Sequence, residues 1–177
     1  MNRIFFKKGL IFGLILGAIL SFSFLGYLYY VTKKNLQQNE KVTKSKSFKD
    51  LNLKLEYLDG KPFNIAQFPN KKVLINIWGT WCAPCRKEMP LLQDTYNLVK
   101  NDYVFIMISD EKPEVIKAFN DKEGYNFIFV RSTENLKSKI GAFPTTFILD
   151  QSQNIQYTKT GSFDDMNENE LKALLLK

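Results

Sequence analysis

The chain has 177 residues, 45% of them hydrophobic, which is enough for one domain with its own core plus a flanking segment. Its net charge of +7 is unevenly placed: residues 1–46 carry eight Lys/Arg and one acid, while residues 47–177 carry 17 of each sign. A neutral domain has no electrostatic footprint for nucleic acid, and a chain with two cysteines and no histidine lacks the four ligands of a zinc site.

Residues 1–8 form a short basic leader, and Gly9 to Thr32 then run 24 residues without a charge. As a helix this stretch reaches about 36 Å, against a hydrocarbon core of about 30 Å, so 9–32 is expected to span a lipid bilayer. A cleaved signal peptide is the competing reading. Its apolar region is usually about 7–15 residues, and Ser21-Phe22-Ser23 is only a weak cleavage site. Tyr27, Tyr29 and Tyr30 gather at the distal end, where amphipathic rings favour the interface, so a retained signal-anchor is expected. Lysines and arginines flank both ends and do not decide orientation; the basic leader followed by an apolar run places the domain outside the cytoplasm.

Residues 33–47 are polar, lysine-rich and non-periodic, and read as a linker. The domain is expected over 48–177. Leu51, Leu53 and Leu55 alternate with polar residues ahead of the turn signal Asp59-Gly60 and predict a β-hairpin with the segment from Lys61 to Ile65. Val73 to Trp78 reads as a buried strand. A helix is expected from Cys82 to Lys100, bent at Pro90, with Met89, Leu92, Tyr96 and Val99 on one face. There follow a strand at Tyr103 to Ser109 and a helix around Pro113 to Lys122 with Val115, Ile116 and Phe119 inward. A strand at Phe127 to Arg131 and a short helix near Asn135 to Ile140 come next. Phe147 to Asp150 and Ile155 to Lys159 form a last strand pair. A final helix starting near Ser162, with Ser162 and Asp165 as a capping box, buries Leu171, Leu174 and Leu175. This alternation predicts an α/β sheet with an antiparallel edge.

Both cysteines lie two residues apart in Trp81-Cys82-Ala83-Pro84-Cys85, at the junction of a strand and a helix. Free backbone N–H groups at the helix start, with Arg86 and Lys87 nearby, favour a thiolate at Cys82, and one helical turn returns Cys85 to it. Half a zinc site and a structural bridge are the bland readings of such a pair. With no third cysteine and no histidine, a redox pair is the better one.

The Trp-Cys-x-x-Cys after an apolar strand, with Phe143-Pro144-Thr145-Thr146-Phe147 about sixty residues on, resembles the thioredoxin fold. Trp78-Gly79-Thr80-Trp81-Cys82, Pro84 and the run Arg86 to Pro90 narrow the resemblance to the TlpA/ResA-like thiol-disulfide oxidoreductases. The resemblance implies a thioredoxin-like fold with an N-terminal β-hairpin and a helix-strand insertion near residues 111–131, preceded by one transmembrane helix. It implies that Cys82 attacks, that Cys85 resolves, and that Pro144 is a cis-proline beside them. Phe143 and Trp81 would help dock an extended substrate. Where cytoplasmic thioredoxins carry a buried aspartate this chain has Asn76, and Glu88, one turn past Cys85, is similar to the family's glutamate near the cysteines. Taken alone, Glu88 reads as a surface charge and Trp78 as packing. No cofactor or metal is implied beyond the Cys82-Cys85 disulfide. The implied partners are exported cysteine-containing proteins, with apocytochrome c the leading class, and a membrane electron donor. An oxidant of the same fold and a tethered copper-binding module are the alternatives.

Overall fold

The computed structural model describes residues 3–176, with the side chains of 3–12, 39, 41 and 43 outside that description. Met1 and Asn2 of the expected leader, and Lys177, therefore lie outside the described residues. Contacts divide the chain into two compact units at Gln38 and Asn39.

The first unit is the apolar part of helix α1 (Arg3–Lys44). Its segment Gly13–Gln38 is long and apolar enough to cross a membrane. Within it Ser21 Oγ donates to Gly17 O at 2.9 Å and Thr32 Oγ1 to Leu28 O at 2.8 Å, each one turn back along the helix.

The second unit begins earlier than the expected boundary at residue 48. The supposed linker is helical as far as Lys44, and Val42, 2% exposed, packs in the same cluster as Phe48. Lys46 O then accepts from Ile155 N at 2.9 Å. A single buried valine among lysines is too sparse a signal to show as periodicity.

Leu51, expected to open the alternating strand of the hairpin, instead ends a 3-10 turn, Phe48–Leu51, capped by Ser47 and Asp50 and followed by Asn52 in the left-handed region. β1 (Leu55–Tyr57) enters the sheet, and the chain turns at Gly60, whose φ of 85° favours glycine. The hairpin is held by Tyr57 N to Lys61 O and Phe63 N to Leu55 O. Its return arm contains Pro62, which has no N–H to give, and touches β1 through one bridge, Glu56 to Pro62.

The sheet continues with β2 (Lys72–Ile77), β3 (Tyr103–Ser109), β4 (Ile128–Ser132), β5 (Thr145–Leu149) and β6 (Ile155–Thr160), in the order β1-β4-β3-β2-β5-β6. β2, β3 and β4 are parallel; β1, β5 and β6 run against their neighbours. On β2 the period of two sends Leu74, Asn76 and Trp78 to one face and Val73, Ile75 and Ile77 to the other, each face buried. The first face is covered by α2 (Ala83–Val99), α3 (Pro113–Glu123) and α5 (Glu168–Leu175). The second carries α4 (Leu136–Ile140) and the N-terminal segment.

Two expectations fail here. Val115 is 42% exposed, so α3 buries Ile116 and half-buries Phe119 only; its position is one residue off the apolar stripe. α5 starts at Glu168, not near Ser162, with Asn167 and Glu170 as its capping box. Residues 161–167 form a bend and a turn, closed by Met166 N donating to Phe163 O at 3.0 Å, because Phe163 is drawn into the core and its N–H is held by Glu88.

Candidate active site

Cys82 is the N-cap of α2 and Pro84 sits in its first turn, where a missing N–H costs nothing. Cys85 N donates to Cys82 Sγ at 3.3 Å, and the two sulfurs form a disulfide with Cα atoms 5.3 Å apart. Cys82 retains 4% exposure and Cys85 none, so the outer sulfur is the one at the open end of the helix. Lys87 forms an ion pair with Asp164 at 3.2 Å.

Around this disulfide the surface is aromatic. Trp81 is 61% exposed and its ring lies 5.2 Å from that of Phe143. Gly79 makes this pose possible: a Cβ there would come within 2.7 Å of Trp81 Nε1. The Phe143–Pro144 peptide is cis, and Thr145 just after it pairs with Ile77 at the end of β2. The strand register therefore brings Pro144 to the loop that leads into Cys82. Trp78 is fully buried against Phe119 and Phe129, a packing role.

Glu88 is not a surface charge. It is 2% exposed and faces Asn76 across the first layer of the core. Asn76 Nδ2 donates to Oε1 at 2.9 Å and Phe163 N to Oε2 at 3.0 Å. Burial pushes the carboxyl up to about 7; the two hydrogen bonds work against that rise, Asp164 adds to it, and Lys159 opposes it. The molecule thus carries a buried acid that titrates near neutrality, one turn along the helix from Cys85.

Glu111 is a residue that sequence reasoning missed. Its carboxylate accepts from Thr80 N at 2.7 Å and Thr80 Oγ1 at 2.6 Å, and Ser109 Oγ donates to it at 3.1 Å. It anchors the loop before Cys82, and no local pattern marks it, because its partner is 31 residues away. Glu111→Ala should destabilise the oxidised protein by about 2 kcal/mol, since Thr80 loses both partners in a half-buried site. Urea unfolding measures this; an unchanged midpoint would mean that the loop holds itself.

Among the described residues no three His, Cys, Asp or Glu side chains gather as metal ligands.

The profile of the Redoxin family matches residues 40–175. Thiol-disulfide oxidoreductase ResA of Geobacillus kaustophilus is 31% identical over 110 residues, 59% of this chain and 63% of that one. The chain thus spans just under two thirds of that relative. ResA of Bacillus subtilis is 28% identical over 169 residues, covering 93% of this chain and 88% of the relative. A thioredoxin-family thiol:disulfide interchange protein of Chlorobium tepidum superposes with a TM-score of 0.59 at 23% identity, over 76% of this chain and 94% of that one.

Proposed function

The chain belongs to the Redoxin family with a thioredoxin-like fold, and from that premise we propose that it is a thiol-disulfide oxidoreductase that reduces disulfides of exported proteins. Apocytochrome c is the leading substrate class and a membrane electron donor restores the dithiol. α1 anchors the domain on the extracytoplasmic side of the cell membrane. The observation that carries the reading is the Cys82-Cys85 disulfide at the start of α2, one sulfur at the open end and a near-neutral acid one turn behind.

In the reduced form Cys82 thiolate attacks a substrate disulfide. One substrate sulfur leaves as thiolate and a mixed disulfide forms. Cys85 then gives its proton to the Glu88 carboxylate and attacks Cys82 Sγ, closing the protein disulfide and releasing the second substrate thiolate. Two electrons pass from protein to substrate, and Glu88 returns its proton to the released thiolate or to water. Trp81 and Phe143 offer the apolar face, beside Pro144, on which an extended substrate segment packs.

Cys85→Ser, expressed with its anchor, should accumulate mixed disulfides with exported cysteine proteins that added thiol releases, apocytochromes among them. If nothing is trapped, the reductase reading fails. Protease added to intact spheroplasts should digest the domain; a protected domain would reverse the orientation.

A further inference from the structure

Asn76 is fully buried and its amide is only half used. Nδ2 donates to Glu88 Oε1 and to Thr146 Oγ1, each at 2.9 Å, whereas Oδ1 has no hydrogen-bond partner. A buried acceptor left unpaired is costly, and this one belongs to the amide that donates to the Glu88 carboxyl, which burial pushes up to about 7. The two states of that carboxyl supply a reason for it. Ionised, Glu88 only accepts, and takes the Asn76 and Phe163 N–H groups. Protonated, it acquires an O–H that needs an acceptor away from water. Of the two groups that hydrogen-bond Glu88, Asn76 alone carries a free one.

We infer that Asn76, held in place by Thr146, is a positioning residue for Glu88: Nδ2 donates to the carboxylate, and Oδ1 receives the proton of the carboxylic acid. The inference rests on Glu88 being the proton carrier for Cys85, whose thiol supplies the proton, so no further reactant enters. The other charges that face Glu88 are Lys159 of β6 and Asp164 of the following loop, Asp164 itself paired with Lys87.

Carbon-13 NMR of glutamate-labelled oxidised protein follows the Glu88 carboxyl with no thiol step in the readout. Asn76→Ala deletes both contacts, and the donor to the charged form is the stronger of them. The Glu88 midpoint should therefore rise by about one pH unit, a tenfold change in proton affinity. Thr146→Val should shift it the same way by less. Asn76→Asp keeps the shape and adds a second carboxyl, so the pair should titrate in two separated steps. An unmoved midpoint in folded Asn76→Ala overturns the assignment, as does a single wild-type step in Asn76→Asp should the alanine variant fail to fold. If the midpoint moves while the pH profile of Cys85 exchange does not follow, the Asn76 assignment stands and the proton-carrier role of Glu88 falls.

Discussion

Cys82→Ser should abolish disulfide exchange down to the uncatalysed background, while Cys85→Ser should keep the first step and lose the second. The asymmetry follows from position on α2. Cys82 is the N-cap, so a thiolate there accepts the Cys85 N–H and meets the positive end of the helix. Cys85 is fully buried beneath it and can reach only the sulfur of Cys82. A serine hydroxyl at position 82 does not ionise near neutral pH and leaves no nucleophile. Single-turnover reduction of a disulfide peptide, followed by mass spectrometry, separates the two variants. With limiting alkylating reagent the reduced wild type should be modified at Cys82 first. Preferential modification of Cys85 would exchange the two roles.

The second large effect is on stability against pH, measured on the oxidised protein. Folding raises the Glu88 carboxyl from 4.5 to about 7. A group whose affinity for the proton is higher when folded adds stability below its unfolded value, and loses it as pH climbs to the folded one. The contribution is therefore full below pH 4.5 and gone above about pH 7. At about 1.4 kcal/mol per pH unit, the loss across that window is about 3 kcal/mol. Glu88→Gln removes the titration and should flatten the curve by that amount. The glutamine can accept only one of the two donors that Glu88 accepts, so its curve should also sit at a constant offset, which the slope ignores. Urea unfolding of both proteins between pH 4.5 and 8 measures it. Parallel curves would show that the acid is ionised throughout.

How much of the fold was legible depended on how local its signal was. The expected limits of β3 coincide with the observed Tyr103–Ser109, and those of α2 lie within a residue at each end, because a buried strand and a capped amphipathic helix each repeat their period several times. The expected start of α5 near Ser162 differs from the observed one at Glu168 because Ser162 and Asp165 carry the same cap chemistry as Asn167 and Glu170. Only the burial of Phe163 chooses between them. The docking of Val42 was invisible for a related reason: one apolar residue acquires meaning only when a sheet face is there to receive it.

The sequence by itself determined the adjacent cysteine pair, the apolar helix and the family, since Cys-x-x-Cys, an uncharged run and a Phe-Pro-Thr segment are carried by neighbouring residues. Tertiary structure decided the state of Glu88. Next to Arg86 and Lys87 it reads as a solvated charge, yet β2 supplies Asn76 from twelve residues away and the loop before α5 supplies Phe163 N from 75 residues away. Thr80 likewise found Glu111 only through the parallel pairing of β2 with β3. The proton affinity of a carboxyl depends on the water it has lost and the dipoles that face it, and both are set by segments that meet only when the sheet closes.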